Sequence, residues 1–153
     1  MDIKIYPVFT SRMSASKRTL VLWVSRHRPL PAQILDLERR FGPIEIAMVK
    51  GTIPTAEFVA EVAVKLGASV VVAVLPLSFI SELAKLSQEK GFTLLMAKMR
   101  KVYESPRQDQ AVEVMNQAAD RRVVAKHMDG MYRVLEFEGF IAVREVKIVG
   151  ESI

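Results

Sequence analysis

Apolar, β-branched runs recur along the chain at nearly even spacing. They read TLVLWV from Thr19, IEIAMV from Ile44, SVVVAVL from Ser69 and FTLLMA from Phe92, with starts 25, 25 and 23 residues apart. Between them the apolar positions change to a helical period. Ile34, Leu37 and Phe41 share one face, as do Phe58, Val62 and Leu66, and then Ile80, Leu83 and Leu86. Each helical stretch closes on a glycine preceded by a cation or an apolar residue: Arg40-Phe41-Gly42, Lys65-Leu66-Gly67 and Lys90-Gly91. Glycine adopts the left-handed conformation that ends a helix, and the cation complements the negative helix terminus. Pro31 and Pro54 mark first helical turns, with Thr52, Ser78 or Ser81 as candidate caps.

Strands that are apolar on both faces and alternate with helices predict buried parallel strands joined by crossover helices. The expected fold is therefore an open, mostly parallel sheet of the Rossmann-like or flavodoxin-like kind, with about four strands in the order 2-1-3-4 and helices on both faces. The reading gives a single domain over residues 1–153, with a core at 19–101 and an extension at 107–149. In that extension, residues 107–121 are helical and Met131 to Val149 forms a C-terminal β-hairpin turning at Glu138-Gly139. Asp129-Gly130 is a stronger turn signal just upstream. Ile3 to Val8 is a further strand candidate, and Thr10 to Lys17 reads as a loop.

Composition narrows the chemistry. Half of the 153 residues are hydrophobic and a quarter are charged, which suits a globular chain and argues against general disorder. The absence of cysteine excludes disulfides, thiolate nucleophiles and Cys-ligated zinc. The start MDIKIYPVFTSRM lacks the apolar core of a signal peptide, and the run Ser69 to Leu77 is too short to span a bilayer. The expected location is the cytoplasm.

The net charge of +5 is uneven. Residues 1–101 carry 15 basic and 8 acidic side chains, whereas residues 102–153 carry 7 and 9. A basic body suits phosphate-bearing small molecules or nucleic acid. In open α/β sheets ligands bind beyond the carboxyl ends of the strands, so the residues following each strand are the candidates. They are Ser25, Arg26, His27 and Arg28 after the first, Lys50 and Thr52 after the second, Ser78 after the third, and Lys98, Arg100 and Lys101 after the fourth. Arginine forks onto phosphate oxygens, hydroxyls donate to them, and helix N-termini add partial positive charge.

Several chemistries lack their residues. There is no glycine-rich dinucleotide fingerprint, no P-loop and no nucleophile elbow. No carboxylate cluster suggests a metal, and no cofactor is expected. The leading expectation is binding of a phosphate-bearing ligand, a nucleotide or a nucleic-acid backbone, at the strand carboxyl edge. A metal-independent phosphodiesterase or nuclease with His27 as acid or base is the alternative. A third reading is an interaction protein, a homodimer for example, that assembles through the C-terminal hairpin.

Overall fold

A computed structural model describes residues 3–12, 17–147, 150 and 152. Among them the order of elements is β1 (Lys4–Thr10), β2 (Thr19–Val24), α1 (Pro31–Phe41), β3 (Ile44–Lys50), α2 (Ala56–Leu66), β4 (Val70–Ala73), α3 (Leu77–Lys90), β5 (Thr93–Ser105), α4 (Gln108–Asn116), β6 (Arg122–Lys126) and β7 (Tyr132–Ala142). The strands are hydrogen-bonded in the order β1-β3-β2-β4-β5-β7-β6.

This arrangement corrects the expected fold class. The sheet is mixed and curled, with seven strands, and is not an open, mostly parallel Rossmann-like or flavodoxin-like sheet of four. The pairs β2–β3, β2–β4 and β4–β5 are parallel, whereas β1–β3 and β6–β7 are antiparallel. The difference arises from polar, alternating segments. Such strands bury one face only, and a search for continuous apolar runs passes over them. The labels Rossmann-like, nucleotide-binding and nucleic-acid-binding lose the fold class on which they leaned.

The chain divides into two compact units. The first comprises Met1–Arg28, Phe41–Met96 and Ile141–Ile153, and the second Pro29–Arg40 and Ala97–Phe140.

In the first unit, β2, β3, β4 and the start of β5 are apolar and mostly buried. Their side chains alternate between the two faces. Leu22, Val24, Val49, Val71, Ala73 and Leu94 join Val59, Ala60 and Ala63 of α2 and Ile80, Leu83 and Ala84 of α3 in one buried cluster. Helix α2 begins at the Thr55 cap, whose hydroxyl accepts from the Phe58 amide at 3.1 Å, and ends at Gly67 in the left-handed conformation. Strand β1 is pinned to β3 at its far end. The Ser11 amide donates to the Ile44 carbonyl (2.8 Å), and the Ile44 amide donates to the Ser11 hydroxyl (2.9 Å). At the other end of the pair the register places Lys4 opposite Lys50.

In the second unit, β6 and β7 form an antiparallel hairpin whose turn contains Asp129-Gly130. The Gly130 amide donates to the His127 carbonyl (3.0 Å), the His127 amide donates to the Met131 carbonyl (2.9 Å), and the Asp129 carboxylate accepts from the Met131 amide (3.0 Å). The hairpin expected over residues 131–149 is therefore displaced towards the N-terminus. Glu138-Gly139 is no turn: β7 runs through it, with Gly139 at φ 144°. A glycine inside a strand marks a backbone irregularity as readily as a chain reversal. Ile148 and Val149, which ended the expected hairpin, lie outside the described residues.

Candidate functional site: a cation-lined cleft

The first unit holds a cleft of about 700 Å³ beyond the carboxyl ends of β2, β3 and β4. The short loops after these strands form it. Strand β2 contributes Val24, Ser25 and Arg26, and β3 contributes Val49, Lys50, Gly51, Thr52 and Ile53. After β4 come Val74, Leu75, Pro76 and Phe79, and β1 adds Lys4 from its first position. The geometry follows from parallel pairing, which brings successive strand ends to one edge. A hydrogen bond from the Val74 amide to the Val24 carbonyl (2.9 Å) ties two of these loops together.

The charge in the cleft has one sign. Lys4, Arg26 and Lys50 line it, and among the described residues no carboxylate does. Lys4 and Lys50 face each other across the β1–β3 pair, an arrangement in which like charges are destabilising. None of the three has a carboxylate partner among the described residues, whereas Lys98, Arg100, Lys101, Arg107, Arg122 and Arg133 all do.

The residues named from sequence separate into three groups. Ser25, Arg26, Lys50 and Thr52 meet in the cleft. His27, Arg28 and Ser78 are exposed close by in the chain but do not line it. The His27 carbonyl accepts from the Trp23 indole at 2.7 Å, and its amide donates to the Ser25 hydroxyl at 3.2 Å. The link between Ser25 and His27 thus runs through the backbone amide, not the imidazole, and makes no nucleophile–base pair.

Lys98, Arg100 and Lys101 form the third group and correct the expectation that they follow a strand end. They lie inside β5, which continues to Ser105, and belong to the second unit. There Lys98 pairs with Glu138 (3.6 Å), Arg100 with Glu138 (2.7 Å) and Glu136 (3.2 Å), and Lys101 with Glu104 (3.3 Å). Arg122 completes the network at 2.9 Å from Glu136. Glu136 is held below its usual pKa, first by the hydrogen bond from Arg122 and then by the nearby positive charges of Arg122 and Arg100.

Thr55 caps α2, whereas α3 has no side-chain cap, and its N-cap residue Pro76 and first-turn Phe79 line the cleft. Lys4 and the apolar wall are the residues that sequence reasoning missed. Ile3 to Val8 read as a strand candidate with no neighbour assigned, and the pairing that carries Lys4 to Lys50 has no local signal.

Among the described residues, no group of three or more His, Asp or Glu is placed to hold a metal ion, and no helix is long and apolar enough to cross a membrane. Fold and cleft together define a mixed α/β protein with a cation-lined cleft at the ends of parallel strands. No protein-family model matches the chain, no curated protein matches it, and no solved structure matches it.

Proposed function

We propose that the first unit binds a small phosphate-bearing ligand in the cleft beyond β2, β3 and β4. The observation that carries this reading is the convergence of Lys4, Arg26 and Lys50 on one cleft with no carboxylate among the described residues that line it. Juxtaposed cations raise each other's electrostatic energy, and an anion between them relieves it. Arg26 offers a planar fork for phosphate oxygens, and the two lysines act as point charges. Ser25 accepts from the His27 amide, which leaves its hydroxyl hydrogen to donate to a ligand, and Thr52 supplies a second hydroxyl. The cleft volume falls within the range of small-molecule sites, roughly 300–1,000 Å³.

The test is thermal unfolding at low salt in the presence of inorganic phosphate, mononucleotides, sugar phosphates and short oligonucleotides. A ligand bound by the native state alone raises the midpoint by mass action. A rise with a small phosphate ester that disappears in Arg26→Ala and in Lys50→Ala is expected. Each charge-assisted contact is worth about 1.5–3 kcal/mol, so each substitution weakens affinity by roughly tenfold to a hundredfold. Midpoints unchanged by every phosphate compound, or raised equally in the variants, would remove the reading.

A further inference from the structure

The walls of this cleft differ from one end to the other. Strand order runs β1-β3-β2-β4 across it. The β1 and β3 end supplies Lys4, Lys50 and Thr52, and β2 in the middle supplies Ser25 and Arg26. The β4 end supplies Val74, Leu75, Pro76 and Phe79 and no charge. Ile53 and the strand ends Val24 and Val49 continue the apolar surface along the floor. Adjacent strands lie about 4.8 Å apart, so Arg26 after β2 and Lys50 on β3 stand roughly 5 and 10 Å across the sheet from the β4 wall. A bare phosphate would occupy only the charged end. The apolar end would then stay wet, although burying its surface is favourable.

Resting on the phosphate-binding reading, we infer that the ligand is amphiphilic: a phosphate monoester whose ester group is a compact alkyl or aryl moiety. The phosphate sits against Lys4, Lys50 and Arg26, and the apolar group lies over Leu75, Pro76 and Phe79. Sugar phosphates fit poorly, because their hydroxyls would face a wall that offers four apolar side chains and no polar one. Val74 is well exposed while lining the cleft, and Leu77 just beyond it is 61% exposed. The apolar surface thus continues to the rim, as expected where a ligand's apolar group leaves part of the wall uncovered.

A chain-length series separates this inference from the reading beneath it. Affinity is measured by calorimetry for inorganic, methyl, butyl, hexyl and phenyl phosphate, with glycerol phosphate as the polar control. Affinity is expected to rise about twofold to fourfold per methylene as far as hexyl, consistent with burial of each CH₂. Phenyl phosphate should bind more tightly than glycerol phosphate by at least tenfold. Val74→Ser, on the same apolar wall, should flatten the series. Phe79→Leu serves as the second variant and should selectively weaken phenyl phosphate. Equal affinity for all the esters would overturn the inference and leave the phosphate site standing. No binding by any of them would overturn both. Binding to phosphatidic-acid vesicles without binding to hexyl phosphate would also overturn it, in favour of a membrane surface.

Discussion

At the scale of single residues, the facing pair Lys4 and Lys50 says most about the cleft. Two ammonium groups opposite each other on an antiparallel pair cost a few tenths to about 1 kcal/mol compared with a neutral pair. Such a cost persists where another demand outweighs it. Lys4→Glu should therefore raise the unfolding midpoint of the ligand-free protein at low salt and abolish the rise produced by phosphate esters. The two effects can be read in one melting series, and loss of stability on making this substitution would count against the account. The placement of Ser25, Arg26, Lys50 and Thr52 at strand ends was legible because each lies at or just beyond the end of a strand that its apolar run had already located. Lys4 was not. It is the first residue of a strand of mixed polarity, and only pairing with a distant strand gives it meaning.

At the scale of elements, β5 shows where reading by apolar runs stops. The buried start Leu94-Leu95 is continuous with Lys98-Met99-Arg100-Lys101, a stretch whose charges resemble a loop. It remains a strand because its backbone pairs with β7, and carboxylates on β7 answer Lys98 and Arg100. The gain from each exposed ion pair is small and falls with salt. Acid should report on this network. A carboxyl whose folded pKa is depressed adds stability above its unfolded value, and that stability is lost as pH falls through the folded value. Glu136 is held down chiefly by Arg122, Glu104 chiefly by Lys101 and Asp129 chiefly by Arg133, so the loss belongs below about pH 4.5. Melting midpoints from pH 3 to 7 are expected to be flat above this window and to fall below it, and Glu136→Gln should make the fall shallower. An undiminished acid slope in that variant would assign the loss to other groups. The hairpin teaches the same lesson at its turn. Asp129-Gly130 and Glu138-Gly139 look alike as dipeptides. The first reverses the chain because the Asp129 carboxylate accepts from the Met131 amide. The second uses its glycine for a positive φ in mid-strand.

At the scale of the whole molecule, the elements between residues 19 and 95 were legible and the class of sheet was not. Period and capping residues fix where helices and strands fall, but nothing local states that β1 returns antiparallel to β3 or that β7 pairs with β6. The first unit also depends on a late segment. Val143 and Val146 pack against its core, and the Val143 amide donates to the Leu94 carbonyl at 2.8 Å. Placing a charge there should be felt through the unit: Val143→Asp is expected to cost about 2 kcal/mol in urea unfolding, from lost burial and an unsatisfied carboxylate. A change within 0.5 kcal/mol would mean that the segment only rests on the surface. Its lateness matters before the protein is finished. Every described residue lining the cleft precedes Ile80, whereas the strand edge at Leu94 waits for Val143. On a ribosome adding about 5–20 residues per second, that wait lasts about 2–10 s. A nascent chain thus presents an unfinished edge to its neighbours for seconds. The yield of folded protein should then respond to the pace of translation and to chaperones more than to the stability of the completed molecule.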